Sequence, residues 1–196
     1  GVSALAATQT AERAYRALRG AAQVDLRFNI DAGALLHWLP QETIMFNQSA
    51  LSRRLEANLA ADAELLICEP VLLGREAMSE TVETGLFEDQ WRIHIDGVLV
   101  HAEQFRIGPD FSNEMLRTSV LNGHRAFATV LLIAGDSEAM LEPARQIIGE
   151  QGGASFWNGK LLARLVAANG YELRQRLIPL LSLLNKQAAL PKCWSL

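Results

Sequence analysis

The sequence predicts a mainly β protein, built of layered, mostly antiparallel β-sheets with two α-helices near the C-terminus. Three observations predict it. Residues Gln23 to Asp31 alternate, with Val24, Leu26, Phe28 and Ile30 on one side and Gln23, Asp25, Arg27 and Asn29 on the other, the period of two of a half-buried strand. Asp96-Gly97 lies between two alternating runs, the strongest short hairpin signal. Helical spacing enters only in the last third.

Taken in order, Gly33 to Phe46 reads as extended chain broken at Pro40, because proline removes a ladder donor. Leu51 to Leu59 forms a further strand. The run ELLICEPVLL, Glu64 to Leu73, is almost continuously apolar and ends at Gly74, as in a strand covered on both faces. Counting outward from the Asp96-Gly97 turn puts Trp91, Ile93, Ile95, Val98, Val100 and Ala102 on an apolar face. Gln90, Arg92, His94, Leu99, His101 and Glu103 share the polar one. Phe105 and Ile107 have the parity of the polar face, so a bulge is expected near Glu103. Phe127 to Ala134 reads as a strand, and Asp136-Ser137 caps a helix reaching about Ile148. Leu161 to Ala168 is another strand. Gly170 to Asn185 reads as a helix, kinked at Pro179, whose stripe of Leu173, Leu177, Leu180, Leu181 and Leu184 faces a core. No repeat or linker divides the chain, so residues 1–196 are read as one domain.

Composition narrows the function classes. The 196 residues are 49% hydrophobic and 20% charged, with a formal net charge of −4. No run approaches the roughly 18 uninterrupted apolar residues of a membrane span, and the opening shows no secretory pattern; the expectation is a cytoplasmic protein with no membrane partner. Scattered lysines and arginines offer no field for a phosphate backbone, so no nucleic-acid partner is expected. Cys68 and Cys193 stand far apart and outside any CxxC pair, which argues against structural zinc. GxSxG, HExxH and phosphate-loop motifs are absent from the sequence, so no enzyme is read from it. A hydrolase assembled only in space is the one catalytic alternative.

The informative residues are acids embedded in apolar chain: Glu42 in LPQETIMF and Glu69 in LLICEPVLL. A buried carboxylate must find a cation, neutralise, or line water. Two readings stay open, satisfied pairs with arginines such as Arg53, Arg54 or Arg75, and the lining of a hydrated passage. His94 and His101 fall diagonally on the polar hairpin face, about 7–8 Å apart at the backbone, with Glu103 next along. Imidazole and carboxylate suit nickel or zinc, although any solvated sheet face can carry the same residues.

Four blocks now stand in order: LPQETIMF (Leu39 to Phe46), EP with GREAMSE (Glu69 to Glu80), the hairpin followed by AEQFRI (Ala102 to Ile107), and LPKCW (Leu190 to Trp194). Together they resemble the urease accessory protein UreD (UreH) family. ATQTAERAYR, Ala7 to Arg16, is similar to that family's Thr-Gln segment. The resemblance implies a UreD-type β fold with two C-terminal helices and a non-enzymatic chaperone of urease maturation. It implies association with UreF, with UreG through UreF, and with urease apoprotein, and transit of Ni2+ with no permanently bound cofactor. The acids expected along a nickel route are Glu42, Glu69, Glu80 and Glu103, with His94 and His101 as further ligands. A purely structural adaptor without metal contact is the alternative. Ser79 and Lys192 depart from the family's glycine and arginine, and family strands that precede the Thr-Gln segment are expected to lie outside these residues.

Overall fold

The computed structural model describes residues 2–75, 80–186 and 188–195. Two β-sheets are stacked, and helices cover the outer face of the larger one. The strands are β1 (Ser3–Ala6), β2 (Glu12–Ala14), β3 (Ala22–Ile30), β4 (Leu35–Trp38), β5 (Thr43–Met45) and β6 (Ala50–Leu59), followed by β7 (Glu64–Leu73) and β8 (Leu86–Ile95). Then come β9 (Val98–Ile107), α1 (Phe111–Leu116), β10 (Ala126–Ile133), α2 (Leu141–Ile148), β11 (Gly152–Trp157), β12 (Lys160–Ala167) and α3 (Gly170–Leu184).

The smaller sheet runs β3-β6-β8-β9 and the larger β1-β4-β7-β10-β12-β11, with β5 alongside β7 and β2 alongside β5. The mainly β class and the two C-terminal helices are as expected. The pairing sense is more mixed: β3, β6 and β8 are mutually parallel, as are β1, β4 and β7, whereas β7-β10-β12-β11 and β8-β9 are antiparallel. The cause lies in the route of the chain. After β3 it crosses to the other layer for β4 and β5, returns for β6, crosses for β7 and returns for β8. Each excursion brings the next strand back into its sheet in the same direction.

Strand β7 is buried along nearly its whole length, because the smaller sheet lies on one face and the helices on the other. Leu66, Cys68, Val130 and Leu132 pack toward Leu173, Leu177, Leu180 and Leu184 of α3, so the leucine stripe is core. Leu65, Ile67, Leu131 and Ile133 pack toward Leu55, Trp91 and Ile93. Helix α3 continues through the exposed Pro179.

The β8-β9 hairpin turns at Asp96-Gly97, both residues having positive φ, as a two-residue primed turn requires. Its bulge lies nearer the turn than expected. Ile93 pairs with His101 while His94 pairs with Leu99, which leaves Val100 as the extra residue. The expected parity for Phe105 and Ile107 is thereby met, but His101 and Glu103 move with them onto the core face. His94 stays on the other face, opposite Leu99. The diagonal His94–His101 pair therefore does not form.

Sequence reading missed β1, β2, α1 and β11. The last had a visible signal: Asn158-Gly159 between Trp157 and Lys160 is a second primed turn, with φ of 47° and 73°.

Candidate functional site

LPQETIMF is where the separated sequence blocks meet. Strands β4 and β5 both run parallel to β7, Trp38 opposite Ile67 and Thr43 opposite Val71. Five residue steps on one strand thus span four on the other, and Leu39 to Glu42 bow away from β7. Pro40 lies within the bow, and Pro70 of β7 opposite it, so two residues without N–H groups occupy the stretch where the ladder is broken.

The bow frees polar groups for the C-terminal segment. Gln41 Nε2 donates to the Cys193 carbonyl (2.8 Å), and Trp194 Nε1 donates to the Leu39 carbonyl (3.0 Å). Arg174 of α3 grips Glu42 through both oxygens, Nε to Oε1 at 2.5 Å and Nη2 to Oε2 at 3.0 Å, and also reaches Gln41 Oε1 at 2.7 Å and the Cys193 carbonyl at 3.2 Å. Its guanidinium lies 5.3 Å from the Trp194 ring centre. LPQE and LPKCW are thus two sides of one joint with Arg174 at its centre.

One turn further, Glu69 projects from β7 toward the smaller sheet. Arg53 of β6 donates to it, and Trp38 Nε1 donates to its other oxygen at 2.8 Å. Arg53 also donates to Asp89 of β8 through Nε (3.0 Å) and Nη2 (2.6 Å). All three charged groups are buried, and two carboxylates share one guanidinium. Burial therefore pushes the Glu69 carboxyl up, with Arg53 opposing and Asp89 reinforcing, to about 7. Its neighbour Cys68, fully buried, has its thiol pushed up by the same desolvation.

Glu80 lies at the surface end. Its carboxylate accepts from Arg75 Nε at 2.9 Å and from the Asn47 and Arg75 backbone N–H groups, and these bonds, Arg75 first, hold its pKa below the ordinary carboxylate range. Arg75 stacks on Phe46 at 4.3 Å. Residues 76–79, including the Ser79 departure, lie outside the described residues.

Glu103 occupies the seam between β9 and β12. Arg164 Nη2 lies 3.0 Å from Oε1, and His101 Nε2 lies 3.6 Å from Oε2. Burial raises this carboxyl, but His101 and Arg164 outweigh it and leave its pKa lowered. Four buried atoms here have no hydrogen-bond partner among the described residues: Trp91 Nε1, His101 Nε2, Glu103 Oε2 and Lys160 Nζ. Lys160 sits 4.4 Å from the Trp157 ring centre, and that ring packs on His101.

The four predicted acids therefore do not line one cavity. Each is held by a different arginine: Glu42 by Arg174, Glu69 by Arg53, Glu80 by Arg75 and Glu103 by Arg164. Arg53 was among the partners expected from sequence for Glu42 or Glu69, whereas Arg75, also expected there, meets Glu80 instead. Arg174, 132 residues from Glu42, had no local signal. Among the described residues no group of three His, Cys, Asp or Glu side chains is placed to hold a metal ion. No helix among them is long and apolar enough to cross a membrane.

Comparison with known proteins matches residues 1–195 to the family described as UreD urease accessory protein. A Urease accessory protein UreD of Mesorhizobium japonicum is 49% identical over 198 residues, covering 99% of this chain and 71% of that protein. Urease accessory protein UreD 1 of Brucella anthropi is 50% identical over 98% of this chain and 71% of its own length. The UreD of Agrobacterium fabrum is 48% identical over the whole chain and 69% of its length.

Proposed function

This chain belongs to the family of UreD urease accessory proteins, and from that premise we propose that it is a non-catalytic chaperone of urease maturation. It acts as a scaffold that holds UreF, and UreG through UreF, on urease apoprotein while nickel is inserted. The observation that carries the reading is the joint at Arg174. Arg174 there ties the bow between β4 and β5 to α3 and to the C-terminal segment at Cys193, and a buried pair of this kind is expected to fix geometry more than to add stability.

Nickel, as cargo, meets a narrower set of groups than the six residues first considered. Glu42, Glu69 and Glu80 are committed to arginines. His94 points away from His101. His94 Nδ1 is unpartnered too, but the facing pair of unpartnered atoms is His101 Nε2 and Glu103 Oε2, two ligands of the kinds nickel takes. Arg164 beside them keeps such a contact weak, as transit requires. The adaptor without metal contact is the second reading, favoured by the arginine held on every acid.

Co-expression with UreF, UreG and urease apoprotein tests the proposal. The chain is expected to co-purify with UreF and the apoprotein and to raise urease activity. Arg174→Ala should lose both. His101→Ala with Glu103→Gln should keep the complex and lower activation several-fold. Unchanged activation in that double variant leaves the adaptor reading, and failure of the parent chain to bind either partner overturns the scaffold.

A further inference from the structure

Strand polarity gathers one end of the molecule from the ends of β3, β6, β8, β10 and β11 and the starts of β7, β9 and β12. The turns at this end carry Asp31, Asp62, Asp96, Asp136 and Glu138, all exposed, with Glu64 at the start of β7. Lys186 is the basic group engaged here, bridging Glu64 at 3.0 Å and Asp136 at 3.5 Å. Glu138 and Asp96 make no ion pair among the described residues. At the opposite end acids and bases balance more closely: Arg75 pairs with Glu80 and Arg106 with Glu88. The net charge of −4 is thus concentrated at the first end.

A groove of about 470 Å³ opens at the acidic end, with Ala63, Ile95, Ile133 and Phe156 as its floor and Asp62 and Glu138 on its rim. Beside it the two hairpin tips present Val98, Leu99 and Trp157, 65%, 49% and 39% exposed. Val98, paired with Ile95, continues the apolar floor of the groove, whereas Leu99 faces the other side with His94, and apolar surface rimmed by charge marks interaction sites.

We propose that this groove docks a basic segment of a partner protein, one in which lysine or arginine alternates with apolar residues. Apolar side chains enter over Ile95, Ile133 and Phe156, while the cationic groups meet Asp62 and Glu138. Lys186 on Glu64 and Asp136 is the same contact made within the chain. Complementary charge of this kind fixes orientation and speeds encounter. A macromolecular segment is chosen over a small cation because no three acids among the described residues are placed to hold a metal ion and the floor between Asp62 and Glu138 is apolar. The inference deepens the scaffold reading and rests on it.

The test titrates the 196-residue chain with a fluorescent twelve-residue peptide of alternating arginine and leucine, against its glutamate-leucine counterpart, in low salt and in 0.5 M salt. The basic peptide is expected to bind at least tenfold tighter and to weaken with salt. Asp62→Asn with Glu138→Gln, and separately Val98→Ser, should each weaken it about tenfold; both sites are on the surface, and unfolding midpoints within error of the parent confirm intact folds. Equal binding of the two peptides, or indifference to the double variant, overturns the proposal. Competition by Ni2+ alone, as effective as unlabelled peptide, also overturns it and marks a cation site. Peptide binding without co-purification of urease partners defeats the scaffold reading instead, and co-purification without peptide binding defeats this one.

Discussion

The clamp of Glu69, Arg53 and Asp89 and the seam of His101, Glu103 and Arg164 are built from the same chemistry, yet they differ in closure. In the clamp every nitrogen of the guanidinium donates to a buried oxygen and Trp38 completes the set. In the seam Arg164 is 61% exposed and two facing atoms are left over. The first lies mid-strand between the sheets, where its three charged side chains are buried. The second lies where β9 is the edge of one sheet and β12 the next-to-last strand of the other. Equal charges thus do structural duty in one place and stay available in the other.

Removing the guanidinium of the clamp should have the largest effect. Arg53→Ala leaves two buried carboxylates facing each other, and a loss of about 3–5 kcal/mol in urea unfolding is expected. A loss below 1 kcal/mol would remove the distinction between clamp and seam. Arg174→Ala comes next, at about 2–3 kcal/mol, with faster proteolysis of the segment after α3; unchanged proteolysis would show that Trp194 alone anchors that segment.

The clamp also sets a pH signature of definite sign. Glu69 is raised to about 7 in the folded chain, so the folded state binds more protons than the unfolded one between the ordinary carboxylate range and neutrality. Its contribution is full at acid pH and falls as pH rises through 7, by something on the order of a few kcal/mol. Glu69→Gln should flatten this slope while keeping the acceptor for Trp38 and Arg53. A slope unchanged in that variant means another group carries it. Glu103, lowered instead, contributes above the ordinary carboxylate range and loses that contribution as pH falls through its lowered value.

The smallest effect belongs to the seam. Arg164→Gln should cost less than about 1 kcal/mol, and less still in high salt, because the exposed guanidinium is screened by water. A cost like that of Arg53 would show the seam to be closed in solution.

Several elements were legible because their signal is local. Alternation in β3, the apolar run of β7, the Asp96-Gly97 turn and the leucine stripe of α3 each reside in fewer than about 18 consecutive residues. The bulge was legible in part: Phe105 and Ile107 demanded a change of parity, but nothing in the sequence said that Val100, two residues before Ala102, would supply it. That shift alone separated His94 from His101 and carried Glu103 inward. An arginine partner at Glu69 was within reach of reasoning about buried acids, whereas Arg174 at Glu42 was not.

By itself the sequence determined the β class, the embedding of Glu42 and Glu69 in apolar strands, the helical end and the family likeness, since periodicity, residue chemistry and motif order are properties of neighbours along the chain. Only the tertiary structure decided which cation meets which acid, which strands run parallel, and where charge collects at one pole. Those depend on the path by which the chain crosses between layers, and groups more than a hundred residues apart meet only once that path is closed.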